Sequence, residues 1–96
     1  MRETKYAVKT TTKFKKDLRL AKRRGLDVSL LKEAISILAT GGALPERYRD
    51  HALTGNLSGF RECHILPDLL LVYLMEEDVL VLTLVRTGTH SNLFGK

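Results

Sequence analysis

Residues 5–10 (Lys-Tyr-Ala-Val-Lys-Thr) alternate loosely between polar and apolar and are rich in β-forming side chains, which predicts a first strand. The spacing then changes. Phe14, Leu18 and Ala21 recur on one stripe while Lys15, Lys16, Arg19, Lys22 and Arg23 fall mostly off it, so a helix is expected from a cap at Thr11 or Thr12 to about residue 24. Gly25 ends it. Asp27 is placed to cap a second helix over residues 28–40, where Leu31, Ala34, Ile35 and Leu38 keep helical spacing and Leu30 and Ile37 widen the apolar face. Gly41 and Gly42 stop that one. Residues 43–58 lose any period and gain Pro45 and Gly55, the pattern of a long connection, and connections of that length in a small domain often carry function.

Alternation returns over residues 59–65, with Phe60, Glu62 and His64 to one side and Arg61, Cys63 and Ile65 to the other. After a Leu-Pro-Asp turn, residues 69–75 are nearly all apolar, as in a central strand covered on both faces. Glu76, Glu77 and Asp78 turn the chain into a last strand over residues 79–86. The order β-α-α-β-β-β predicts an α+β fold in which the last three strands form an antiparallel meander and both helices pack on one face.

Composition adds limits to this picture. Ninety-six residues suit one compact domain, taken as residues 1–96, and 44% hydrophobic with 28% charged residues is an ordinary globular mixture. The single cysteine, Cys63, has no partner for an internal disulfide, and the Cys and His spacings do not suggest a zinc finger, which fits a reducing, cytoplasmic setting. The N-terminus lacks an apolar signal core, and the run at 69–75 is far short of the roughly 20 residues of a membrane helix, so no membrane association is expected. Charge is uneven: residues 1–49 hold 13 Lys/Arg against 5 Asp/Glu, or +8, while residues 50–96 hold 3 against 6, or −3, giving the net +5. A basic half invites a polyanion or an acidic partner, although a solvated helix face accounts for it equally well.

The chemistry concentrates near the C-terminus, in Arg-Thr-Gly-Thr-His-Ser-Asn-Leu-Phe-Gly at residues 86–95. Arg86 offers a fork of donors that fits a phosphate, His90 exchanges a proton near neutral pH, and Gly88 lets the backbone turn between them. All three histidines, His51, His64 and His90, lie in the second half beside turns or strand ends, and a meander could gather them with Asp68 at one rim. Such a set suits either of two chemistries: zinc binding, or proton transfer on a phosphodiester with Arg86 stabilising the charge that grows in the transition state. A guanidinium among metal ligands would oppose a cation, so the expectation is no metal. Glu62 and Asp50 are the other carboxylates nearby, and Glu62, on a strand, is expected to be a cross-strand partner for a cation.

Tyr48-Arg49-Asp50-His51, Leu53-x-Gly55, Gly59-Phe60-Arg61-x-x-His64, Pro67-Asp68, Tyr73 and Arg86-Thr87-Gly88-Thr89-His90-x-x-Leu93-Phe94-Gly95 together resemble the YafQ branch of the RelE/ParE toxin superfamily, the mRNA interferases of type II toxin-antitoxin systems. The resemblance covers nearly the whole chain. It implies a RelE-like fold and a ribosome-dependent endoribonuclease that cuts mRNA without metal or other cofactor, by attack of the ribose 2′-hydroxyl on the neighbouring phosphate. It also implies a cognate antitoxin, DinJ-like or RelB-like, as inhibitor. Carried over by position, His51, His64, Asp68 and His90 match residues implicated in proton transfer, Arg86 the phosphate-stabilising arginine, and Phe94 an aromatic near the scissile nucleotide. Lys15, Lys16, Lys22, Arg23 and Arg24 would contact ribosomal RNA. Relatives carry tryptophan after the aspartate where this chain has Leu69, which bears on substrate preference. The rival readings are a ParE-like toxin acting on gyrase, which leaves the histidine and aspartate set without a task, a non-catalytic RNA-binding module in which the histidines are structural, and a zinc hydrolase.

Overall fold

The computed structural model describes residues 4–94. Gly95, the end of the C-terminal motif, and the first three residues of the N-terminus lie outside them. The chain runs β1 (Ala7–Thr10), α1 (Thr12–Arg23), α2 (Ser29–Ala39), β2 (His51–Ala52), β3 (Arg61–Leu66), β4 (Leu69–Glu76), β5 (Val81–Gly88) and α3 (His90–Phe94), with single 3-10 turns at Glu46–Tyr48 and Gly55–Leu57. The five strands form one sheet in the order β1-β5-β4-β3-β2, antiparallel except for the parallel β1–β5 pair.

The predicted helices form where their caps and apolar stripes put them. Thr11 caps α1, its Oγ1 accepting from Phe14 N at 3.0 Å, and the chain leaves the helix through Gly25 at φ +76°. The Asp27 carboxylate accepts from the Ser29 hydroxyl and, at 3.0 Å, from the Ser29 amide at the start of α2, and the hydroxyl first and the amide second hold its pKa below the usual carboxylate value. Phe14, Leu31, Ala34 and Leu38 from the helices meet Cys63, Ile65, Leu69, Leu71, Tyr73, Leu82 and Leu84 from the sheet in a single core. Cys63 is fully buried there and its thiol pKa is pushed up to about 12, chiefly by burial, so it is chemically quiet.

Two features depart from the predicted order. Residues 43–58 are not all loop: His51 and Ala52 pair with Glu62 and Arg61, adding a two-residue edge strand too short to leave a period in the sequence. The C-terminal stretch is strand through Gly88 followed by the short helix α3, because residues 86–88 continue the pairing with β4. Arg86 therefore lies on the last strand, as expected, but two residues short of its end rather than at it.

The core occupies one face of the sheet, and alternation sends the intervening residues to the other. Across that second face the register aligns His51 of β2 with Glu62 of β3, Glu62 with Val72 of β4, and Val72 with Arg86 of β5. A neighbouring row aligns His64, Leu70 and Gly88. A bulge between Val72 and Tyr73 in the β4–β5 pairing keeps both requirements: Leu84 opposite Tyr73 on the core side, Arg86 opposite Val72 on the other.

Candidate active site

At one end of the row, His51 and His64 bracket a buried carboxylate. Glu62 is 3% exposed, with its Oε1 3.4 Å from His51 Nε2 and 3.8 Å from His64 Nε2, and the two rings lie 6.1 Å apart between centroids. The Glu62 Oε2 atom is buried without a hydrogen-bond partner. His51 Nδ1 lies 2.8 Å from the Arg49 carbonyl, and only a protonated Nδ1 makes a hydrogen bond to that acceptor. In a neutral imidazole the proton is then fixed on Nδ1 and the bare Nε2 faces a carboxylate, two acceptors with nothing between them. The two ring nitrogens and the carboxylate oxygen thus converge on one small region of the sheet face. Arg49 adopts φ +49°, a left-handed conformation uncommon for a residue with a side chain, and it is this turn that presents the carbonyl to His51.

At the other end, Arg86 lies two strands from Glu62, roughly 10 Å at a spacing of about 4.8 Å per strand. Its Nε and Nη2 donate to the two oxygens of Asp17 at 2.7 and 3.1 Å, and the Thr87 amide donates to the same carboxylate at 3.2 Å. The position of Asp17 follows from strand length. Because β1 ends at Thr10, opposite Leu84, no strand covers the outer edge of β5 beyond it, and α1 fills the gap. Asp17 satisfies the Thr87 N–H and the Thr11 hydroxyl donates to the Val85 carbonyl at 2.7 Å. Asp17 raises the guanidinium pKa, fixes its plane and leaves Nη1 outside the pair. Beside it, Thr11, Lys13, Leu57, Val72, Val85, Leu93 and Phe94 join Arg86 in lining an open cavity of about 260 Å³.

The structure thus brings together His51 and His64, sets Arg86 in their row, and puts Phe94 in the cavity with Arg86. His90 is exposed on α3, its ring 5.4 Å from that of Phe94, and it does not join the other two histidines. Asp68 stands exposed on the β3–β4 turn without a hydrogen bond or ion pair among the described residues. The expected gathering of three imidazoles at one rim is therefore a pair. Asp50 is also accounted for structurally: it accepts from Arg61 at 3.1 Å, which raises the guanidinium pKa, and from the Tyr73 hydroxyl at 2.6 Å, whose pKa is raised first by burial and then by this bond. The basic side chains Lys15, Lys16, Lys22, Arg23 and Arg24 are exposed along α1 and its end, with Arg24 Nη1 reaching Asn92 Oδ1 at 3.2 Å.

Two contributors escaped the sequence reading. Asp17 is the only acid in α1 and sits on the apolar stripe with Phe14, Leu18 and Ala21; a carboxylate on the inward stripe of a lysine-rich helix requires a cationic partner inside. Glu62 was expected to pair a cation across strands, and its cross-strand neighbours are His51 and Val72, with an imidazole rather than a lysine or arginine beside its carboxylate. The alternation also put it beside His64, but nothing in the sequence showed that it would be buried.

Comparison with known proteins agrees with this arrangement. The family model described as the bacterial toxin of type II toxin-antitoxin system, YafQ, matches residues 6–95. The mRNA interferase toxin YafQ of Escherichia coli strain K12 is 39% identical over 83 residues, covering 85% of this chain and 88% of its own length. In the crystal structure of the E. coli DinJ-YafQ toxin-antitoxin complex, one chain superposes with a TM-score of 0.87 at 35% identity, covering 95% of this chain and 99% of that one. A metal-bound toxin from Helicobacter pylori superposes with a TM-score of 0.86 at 46% identity, over 93% and 99% of the two chains. Sheet order, helix placement and motif together define the small toxins of type II toxin-antitoxin systems. Within that class, the chain belongs to the YafQ family.

Proposed function

We propose that this toxin is a ribosome-dependent endoribonuclease that cleaves mRNA through its own side chains, with the second face of the sheet as its active surface. The observation that carries the reading is the row His51–Glu62–Val72–Arg86, with His64 one register step away. It aligns proton-transfer groups with a fixed guanidinium on one rigid support, which is what in-line attack on a phosphodiester requires. One base takes the proton of the ribose 2′-hydroxyl, the 2′-oxygen bonds to phosphorus, the bond from phosphorus to the 5′-oxygen breaks, and an acid protonates that leaving oxygen. The products are a 2′,3′-cyclic phosphate and a 5′-hydroxyl. RNA alone supplies the attacking hydroxyl.

His51 and His64 supply proton transfer at one end of the row, on either side of the Glu62 carboxylate. Arg86, oriented by Asp17, neutralises the phosphorane. His90 and Phe94 stand next to Arg86 in the chain and on α3, where His90 serves as a further proton donor and Phe94 stacks a base. Asp68, at the exposed turn, takes part once the message is seated. Exposed Lys15, Lys16, Lys22, Arg23 and Arg24 hold ribosomal RNA, and the DinJ-YafQ complex of the E. coli relative supports a DinJ-like antitoxin as inhibitor in the cytoplasm. No helix among the described residues is long and apolar enough to cross a membrane. A gyrase-directed toxin would leave the buried Glu62 and its two histidines without a task.

Growth after induction tests the reading. Arg86→Ala and His90→Ala are each expected to abolish growth inhibition while the purified variants keep the parent's circular dichroism, since groups of this kind are worth roughly 10² to 10⁴ in rate. A folded variant as toxic as the parent would remove that residue from the site.

A further inference from the structure

Strand length opens a second hollow on the far side of His64. Because β2 is only two residues long, its pairing with β3 reaches no further than Glu62, and among the described residues no strand covers the outer edge of β3 beyond it. The chain that leads into β2 passes there instead, with the 3-10 turn Glu46–Tyr48 against β3. The result is an open cavity of about 370 Å³, larger than the one beside Arg86, lined by Arg47, Arg49, His64, Ile65, Leu66 and Pro67.

The charge around this cavity is positive and unmatched. No carboxylate lines it, and among the described residues neither Arg47 nor Arg49 makes an ion pair, in contrast to Arg61 with Asp50 and Arg86 with Asp17. Arg47 is nonetheless held in place. Its Nη2 lies 3.4 Å from the hydroxyl of the buried Tyr48, and its guanidinium carbon 5.0 Å from the centroid of that ring. Arg49 is fixed through its backbone, since the carbonyl of this left-handed residue holds His51 Nδ1. A smaller hollow of about 140 Å³ shares Arg47, His64 and Ile65 and adds Leu30 and Tyr48, an apolar wall on which a ribose or a base can rest.

Two guanidiniums around a cavity with no acid are suited to a phosphate group. His64 belongs both to this cavity and to the neighbourhood of the cleavage row, so a polyanion crossing the sheet from Arg86 leaves it at His64, against Arg47 and Arg49. That continuity favours an RNA strand over an acidic protein. We propose that Arg47 and Arg49 bind a backbone phosphate of the message, at least one nucleotide removed from the linkage that is cut, and hold the strand in register over His64. Contacts of this kind position a strand without reading its sequence, so both arginines are positioning residues. The identity of the RNA as message rests on the ribonuclease reading; the capture of an RNA phosphate does not.

Fluorescence anisotropy of a short 2′-O-methylated oligoribonucleotide, which lacks the attacking hydroxyl, tests the site on purified toxin without reference to cleavage. Arg47→Gln with Arg49→Asn should weaken binding about 10-fold or more and lower the slope of log affinity against log salt by about 0.7, the share of one phosphate contact in a single strand. Arg47→Lys with Arg49→Lys keeps the charge and should keep the slope. Arg49→Asn alone, at an exposed position and with a residue that tolerates the left-handed turn, keeps the test valid if the change beside Tyr48 disturbs folding. No measurable binding by the parent, or equal affinity and slope in parent and neutral variants, would overturn the site. Co-sedimentation with message-free ribosomes should be the same for parent and neutral variants; a loss there as large as the loss of oligonucleotide binding would assign the arginines to ribosomal RNA and overturn the message as occupant. Loss of antitoxin binding with oligonucleotide binding intact would overturn the proposal in favour of a protein. A parent that binds the oligonucleotide through these arginines yet cuts no RNA on the ribosome would count against the ribonuclease reading and leave the phosphate site standing.

Discussion

The carboxylates of this chain divide by partner. Asp50 is held by Arg61 and Tyr73 and braces β3 against β4, Asp17 is held by Arg86 and Thr87, and Glu62 faces two histidines with one oxygen unmatched. Under the proposed function Asp17 acts through Arg86, as a positioning residue. Replacing it by Asn keeps the shape, removes the charge and allows the guanidinium to swing. Asp17→Asn should lower the single-turnover cleavage rate roughly 10- to 100-fold with little change in KM, the usual cost of misplacing a group by about 1 Å. It should also cost about 1–3 kcal/mol in thermal unfolding, the worth of hydrogen bonds to a charged group. Destabilisation with an unchanged rate would reduce Asp17 to a structural tie. The sequence displayed every one of these residues, and it marked Arg86, His51 and His64 by type. It could not assign their partners, because Asp17 and Arg86 are 69 positions apart and their meeting depends on where β1 stops.

Elements with strong periodicity were legible and those without it were not. The stripes of α1 and α2, the alternation of β3 and the apolar run of β4 each follow from burying one face or two, so the predicted bounds fall within a few residues of those observed. The parallel docking of β1 on β5 has no local signature, β2 is too short to show one, and α3 follows a glycine that reads as loop. Gly88 is decisive at that junction. Its φ of +149° lies where side chains are disfavoured, and a Cβ there would stand 3.4 Å from the Asn92 Cβ and 3.6 Å from Leu93 Cδ2. Those are ordinary van der Waals contacts, so Gly88→Ala should strain the backbone at the junction rather than collide with α3, at a cost of about 1–3 kcal/mol. Because α3 carries His90 and Phe94, differential scanning calorimetry should show the loss in parallel with reduced cleavage; full activity at parental stability would show that the junction has slack.

At the scale of the whole molecule, charge and chemistry are segregated. The excess of basic residues lies in the first 49 positions and many of its exposed members cluster on α1, while the catalytic candidates come from the second half, His51, His64 and Arg86 on the sheet face away from the core and Asp68, His90 and Phe94 on a turn and α3. Under the proposed function, recognition of ribosomal RNA and cutting of the message are then separable. Charge reversal at Lys15, Lys16 and Lys22 should weaken ribosome binding, and lessen its salt dependence, more than it weakens antitoxin binding. Co-sedimentation with ribosomes against pull-down with antitoxin measures both, and equal losses would refute the division.

The central claim is that imidazoles and a braced guanidinium on one sheet face cut message on the ribosome. Primer extension on mRNA from cells induced for the parent, His64→Ala and Arg86→Ala forms tests it most directly. The account predicts cuts at codon boundaries in the parent and none with either variant. Cuts of the same position and intensity in both variants, or none in a growth-arrested parent, would contradict it.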